Sequence, residues 1–148
     1  MSRAEKPEPR RLDPGRYPFV AEIASRFGDV DALRHLNNVA LARIYEEGRV
    51  QLHRAMELES AREKGSRTVV AQVTLRYLGE GFYPSVLRVG GAIARIGGSS
   101  YQIAQGLFQE GVCIGTCDSV LVYTREGRPA PLPAPLRDQL AGFEFREG

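Results

Sequence analysis

The sequence has little cysteine, no long apolar run and almost no net charge, and each shortage removes a class of protein. Of its 148 residues only Cys113 and Cys117 are cysteines. They lie in a segment that alternates like a strand, where four residues span about 13 Å, while the Cα atoms of a disulfide lie within about 7 Å. That spacing rules out a bridge and predicts two buried small hydrophobes. A lone CxxxC without further Cys or a nearby His also lacks the ligand count for zinc. No stretch approaches the roughly 18 to 20 apolar residues that a membrane-crossing helix needs. The first sixteen residues, MSRAEKPEPRRLDPGR, mix charge with proline, and the Arg10-Arg11 pair is not followed by the apolar segment of an export leader. Residues 1–16 are therefore expected to be a disordered lead, and the protein cytoplasmic. The formal charge is +2, from 20 basic and 18 acidic side chains interspersed along the chain, so no basic face points to nucleic acid.

What remains is one domain's length with 43% hydrophobic residues, enough to bury a core. From Tyr17 to Phe27 the chain alternates, with Phe19, Ala21, Ile23, Ser25 and Phe27 on one face, which predicts a half-buried strand. From about Asn38 the period changes. Leu41, Ile44, Tyr45, Gly48, Leu52, Ala55 and Met56 recur at spacings of three and four, predicting a helix of about five turns with one apolar face. Glycine inside a helix costs about 1 kcal/mol relative to alanine, so Gly48 on that face predicts close approach to a sheet. Period two then returns in four strands, at 68–78, 85–96, 99–109 and 112–124, separated by GEGFYP, GGS and EG turn signals. The Gly90-Gly91 pair predicts a bulge or strong curvature. The section REGRPAPLPAPLRDQLAGFEFREG predicts a surface polyproline II connector and one helical turn around Leu136 to Leu140. Residues 17–148 thus read as one α+β domain, a curved antiparallel sheet wrapped around one long central helix. Its open edges favour pairing in a dimer.

Between the first strand and the helix, residues 29–38 read DVDALRHLNN. Asp and Asn suit a turn and a helix N-cap, which is a sufficient structural role for Asp29, Asn37 and Asn38. The pattern D-x-D-x-x-x-H-x-N-N leading into Y-E-E-G-R at 45–49 also carries a resemblance. With the strand at 68–78, the IGGSSYQIAQGLF segment and the GRPAPLP tail, it resembles the hotdog-fold acyl-CoA thioesterases of the 4-hydroxybenzoyl-CoA thioesterase type, over nearly the whole chain after residue 17.

That resemblance implies a hotdog fold and hydrolysis of an acyl-CoA thioester to a free acid and coenzyme A, with no metal and no bound cofactor. It implies a homo-oligomer, dimer or tetramer, with sites near the subunit interface at the N-terminal end of the helix. It makes Asp31 the catalytic carboxylate and puts an oxyanion donor near the backbone N–H of Asn38. The chemistry agrees, because a carboxylate can attack a thioester or deprotonate water, and a helix start offers unpaired amides. Both roles for Asp31 stay open. His35 either contacts the thioester or orients the loop, and Asn37 stands beside the substrate. Two residues depart from the family pattern. Arg34 replaces a usual glycine, which predicts a reshaped loop or a guanidinium for an anionic group on the substrate. Leu41 replaces a frequent tyrosine and makes the pocket beside the helix more apolar.

Glu46, Arg49 and His53 fall along one flank of the helix, where a Glu46–Arg49 surface pair is expected. The resemblance implies a structural role for Glu46 near the subunit contact, and Glu46 or Glu47 remains an alternative nucleophile, as in some other hotdog thioesterases. Arg88, Arg95, Arg125 and Arg128 are candidates for the phosphates of coenzyme A. Two rival functions stand beside hydrolysis: a non-catalytic acyl-CoA-binding hotdog protein, and an enoyl-CoA hydratase. The hydratase motif has a proline between its Asp and His, and DALRH has none.

Overall fold

The computed structural model describes residues 6–147. Strand β1 (Phe19–Ala24) leads through a 3-10 turn (Phe27–Asp29) into the long helix α1 (Asn38–Ala55) and the single turn α2 (Leu58–Ala61). Four strands follow, β2 (Ser66–Tyr77), β3 (Val86–Ile96), β4 (Ser100–Gln109) and β5 (Val112–Arg125), then the two-residue β6 (Arg128–Pro129) and α3 (Ala134–Ala141). The strands pair antiparallel in the order β1-β3-β4-β5-β2, with β6 on β5. Register slips at Val70/Gln72, Ile93/Arg95 and Leu107/Phe108 each bend and twist the sheet. The Glu110-Gly111 and Glu126-Gly127 hairpins have positive φ at both residues, as tight two-residue turns require.

The predicted helical stripe is the buried one: Leu41, Ile44, Tyr45, Gly48 and Leu52 face the sheet. A Cβ on Gly48 would lie 2.7 Å from Cγ1 of Val89 and 3.2 Å from Nε2 of Gln105. Gln105 donates to the Tyr45 carbonyl at 3.0 Å, so helix and sheet are joined there by a hydrogen bond as well as by contact. Gly48→Ala gains about 1 kcal/mol of helix propensity but pushes α1 away from Val89 on β3 and Gln105 on β4. The net expectation is a loss of about 1 to 2 kcal/mol, seen as a lower urea midpoint with an unchanged slope.

Several expectations are corrected. The lead is folded from Pro9: two 3-10 turns (Pro9–Leu12 and Pro14–Arg16) lie against the outer face of the sheet. The Arg11 guanidinium donates to Oδ1 of Asp118 at 2.9 Å and to the Gln105 carbonyl at 3.0 Å, and Tyr17 Oη donates to the Arg11 carbonyl at 2.8 Å. Gly90 and Gly106 make room for the Tyr17 ring, since a Cβ on either would come within 2.6 Å of it. Gly90-Gly91 therefore serves contact instead of a bulge, and pairing through it is regular. The tail is not a surface connector: Leu132, Leu136 and Leu140 are buried in the same cluster as Leu52. Phe27 lies outside β1 and is 78% exposed. Ile114 is an extra residue between Cys113 and Gly115 in the β4–β5 register, which turns Cys113 outward beside Tyr17 and Phe108 while Cys117 faces the core. Both are free thiols, and burial pushes both above the ordinary thiol value.

Candidate active site

Two acids of the 29–38 segment have separate roles. Asp29 is 2% exposed and accepts from the Arg26 amide (2.8 Å), the Arg26 guanidinium (3.3 Å) and Arg43 of α1 (3.0 Å). Its own carbonyl accepts from the Asn37 amide at 2.9 Å. Burial alone would raise the Asp29 carboxyl, but the Arg26 amide and guanidinium and Arg43 outweigh it and hold the group below the ordinary carboxylate value. Asp29 is thus the tie between the end of β1 and the start of α1. Asp29→Asn keeps an acceptor for the Arg26 amide but loses the charge, and is expected to cost about 1 to 2 kcal/mol. The wild-type contribution is complete above the unfolded carboxylate value of about 3.9 and is lost as pH falls through the depressed folded value. Urea unfolding at neutral pH and at about pH 3 should show the gap between wild type and variant closing on the acid side.

Asp31 is exposed and closes a five-residue turn. Its Oδ1 accepts from the Leu33 amide at 2.9 Å and the His35 amide at 3.1 Å, and its amide donates to the His35 carbonyl at 2.9 Å. Oδ2 has no hydrogen-bond partner among the described residues. The turn demands a left-handed residue at position 34, and Arg34 supplies it with φ +64°. The loop therefore keeps the conformation that glycine would favour, at a cost of roughly 1 to 2 kcal/mol for a non-glycine residue. The predicted reshaping does not occur. The Arg34 side chain is exposed and makes no ion pair among the described residues.

The base of the loop is closed by a bridge between Val30 and Leu36. Asn37 is the N-cap, its side chain accepting from the Ala40 amide at 2.8 Å. Asn38 is the first helical residue, and among the described residues its amide and that of Val39 have no partner. These amides carry the positive end of the helix dipole. Leu41 is 5% exposed and packs in the core with Ile23, Leu36 and Ile44, so it forms the floor beneath the loop and does not itself reach the open surface.

His35 is held by groups that the sequence pattern does not single out. It bridges to Phe82, whose ring meets the imidazole edge-on with centroids 5.2 Å apart, and its Nε2 lies 3.2 Å from Oε2 of Glu80. Both partners come from GEGFYP, which reads locally only as a turn. Arg49, predicted as a surface residue paired with Glu46, is instead 8% exposed and donates to Oγ of Ser119 at 3.1 Å. His53 lies within hydrogen-bonding distance of Tyr101 Oη (2.8 Å), and burial holds its imidazole below the ordinary value. Arg49 and His53 line a groove of about 1240 Å³ between α1 and β2, apart from the Asp31 loop. Among the described residues no group of three or more His, Cys, Asp or Glu side chains could hold a metal ion, and no helix is long and apolar enough to cross a membrane.

A curled antiparallel sheet around one helix, with a polar loop at that helix's start, is the hotdog architecture. The chain belongs to the thioesterase-like superfamily, whose family model matches residues 25–140. No curated protein matches it by sequence. Among solved structures, it is similar to a predicted thioesterase from Bacillus stearothermophilus, with 28% identity and a TM-score of 0.76 over 88% of this chain and 98% of that one. It is also similar to a thioesterase from Thermus thermophilus complexed with coenzyme A and zinc, with 27% identity and a TM-score of 0.75 over 86% and 95% of the two chains. A protein from Pseudomonas aeruginosa strain PAO1 aligns at 25% identity with a TM-score of 0.78, covering 93% of this chain and 98% of that one.

Proposed function

We propose that this chain hydrolyses an acyl-CoA thioester to the free acid and coenzyme A, in the manner of the 4-hydroxybenzoyl-CoA thioesterase type, with Asp31 as the reacting carboxylate. The observation that carries this is the division of labour within one side chain. Oδ1 of Asp31 is committed to the turn, while among the described residues Oδ2 has no partner, nor have the first amides of α1, which begins later in the same segment. Oδ2 either attacks the thioester carbonyl carbon or takes a proton from a water that attacks it. Charge then moves to the carbonyl oxygen, which the Asn38 amide stabilises. The carbon–sulfur bond breaks, and the thiolate of coenzyme A leaves and takes a proton from water or from Asp31. Where Oδ2 was the nucleophile, water then hydrolyses the acyl–Asp31 anhydride to the free acid; where it was the base, the attacking water has already supplied the acid's hydroxyl. Arg34 faces anionic groups of the substrate, Asn37 holds the helix start in place, and the coenzyme A bound to the Thermus thermophilus relative supports the choice of thiol.

A second copy of the chain completes the assembly. Val70 and Val73 lie on the helix side of β2, opposite Leu121 and Ser119, yet they are 49% and 45% exposed because α1 stops short of this edge. Buried Arg49 has no carboxylate partner among the described residues, and neither does Glu46 have a basic one, three residues before it. A two-fold axis beside this flank sets Glu46 of one copy against Arg49 of the other, as an isologous contact requires. Light scattering should give a dimer mass for the parent and a monomer mass for Val70→Lys/Val73→Lys.

The function is tested by thiol release from short, long and aromatic acyl-CoA esters. Release from at least one of them supports hydrolysis. Binding without release from any ester would favour a non-catalytic acyl-CoA-binding protein, and loss of enoyl absorbance without thiol would favour a hydratase.

A further inference from the structure

The segment between β2 and β3 is built against the active loop more firmly than a surface turn needs. The Gly81 carbonyl accepts from the Leu36 amide at 2.8 Å. A Cβ on Gly81 would lie 2.7 Å from Cδ1 of Leu36 and 3.0 Å from Cδ1 of Ile114, so a larger residue there would have to displace both side-chain ends. The next residue, Phe82, is clamped at both backbone groups by one side chain. Its amide donates to Oε1 of Gln109 at 3.0 Å and its carbonyl accepts from Nε2 of Gln109 at 2.9 Å. Gln109 is itself 7% exposed at the end of β4, which fixes the Phe82 ring against His35 and sets Glu80 beside Nε2 of His35.

We infer that Glu80 is a positioning residue: it fixes the proton of His35 on Nε2 and leaves Nδ1 as the ring nitrogen open to the substrate held at Asp31. This rests on the thioesterase reading of that loop for its consequence in turnover, but not for the Glu80–His35 link itself. The His35 backbone is already tied at both ends to Asp31, so only ring orientation and tautomer remain free, and these are what a partner on one nitrogen decides. The Glu80 and His35 side chains are 65% and 27% exposed. A hydrogen bond to so exposed a carboxylate contributes little to stability, which separates an orienting role from a stabilising one. No other charged side chain pairs with His35 among the described residues.

The chain has only two histidines, so the imidazole nitrogens of His35 and His53 can be followed by 15N NMR in the intact protein. His53, held by Tyr101 and the Arg49 carbonyl, is the internal control. In the parent, His35 should show a protonated Nε2 and an unprotonated Nδ1. Glu80→Ala should move its signals toward those of a solvent-exposed histidine with His53 unchanged, and Glu80→Gln, which keeps an acceptor, should restore most of the parent pattern. In turnover, Glu80→Ala should lower kcat roughly tenfold with KM changed less than about twofold, and Glu80→Gln should recover most of it. His35 signals indifferent to Glu80→Ala overturn the inference, as does a changed tautomer with undiminished kcat. If the parent protein releases no thiol from any ester, the thioesterase reading fails, while the spectra still decide whether Glu80 sets the tautomer.

Discussion

Asp31→Asn is expected to lower the turnover of a cleavable acyl-CoA ester by roughly 10² to 10⁴, while the protein unfolds at the same denaturant concentration as the parent. The separation of the two effects follows from the turn. Asparagine still offers Oδ1 to the Leu33 and His35 amides, so the loop conformation survives. Only the free position changes, from a carboxylate oxygen to an amide nitrogen that neither attacks a carbonyl nor accepts a proton. Asp31→Ala is a poorer probe, because it removes the acceptor for both amides and loosens the loop along with the chemistry. Thiol release and urea unfolding on the Asn variant together check the expectation. Turnover indifferent to the substitution would move the reacting carboxylate elsewhere, with Glu46 and Glu47 next in line.

The largest expected effect on stability is that of Leu52→Ala, at about 3 to 5 kcal/mol. Leu52 is fully buried in the last turns of α1 and faces β3 at Gly91, where a Cβ would lie 3.0 Å from its Cδ2. Because the position opposite has no side chain, β3 offers nothing at Gly91 to fill the space, which puts the cost in the upper part of the range for such truncations. The pairing makes a sharper test. Gly91→Ala should destabilise the parent through overpacking but be neutral or favourable in the Leu52→Ala background, where it refills part of the cavity. A double-mutant cycle with a coupling of at least about 1 kcal/mol would show this, and simple additivity would mean that helix and strand adjust independently.

How far the sequence is legible depends on the range of the contacts. The α1 stripe and the tight approach at Gly48 can be read because a helical period is local and a glycine on a buried face has few other uses. The loop at 29–38 can be located, and Asp29 separated from Asp31, with turn and capping preferences and the family pattern together. Glu80 and Phe82 cannot be reached that way, since they meet His35 from a segment more than forty residues on and their local pattern is that of a turn. Charge suggests exposure for Arg49, but its partner Ser119 lies on a distant strand and holds it inside. Strict alternation misplaces Cys113, because the extra residue at Ile114 breaks the period. The folded lead is out of reach for the same reason: the Arg11 contact with Asp118 spans 107 positions, and a stretch rich in proline and charge carries no period of its own.

That lead covers one face of the sheet. Its two turns and Tyr17 lie on the outer face of β3, β4 and β5, where Phe145 from the other end of the chain packs against Tyr17 at 5.0 Å and the Arg146 amide donates to the Arg16 carbonyl at 2.8 Å. A bare outer face is where one curled sheet stacks back to back on another. Here the turns at 9–16 and the segment around Phe145 occupy that ground, while Val70 and Val73 on the helix side of β2 stay exposed. The two-fold contact proposed at Val70 and Val73 would leave this face covered in both copies.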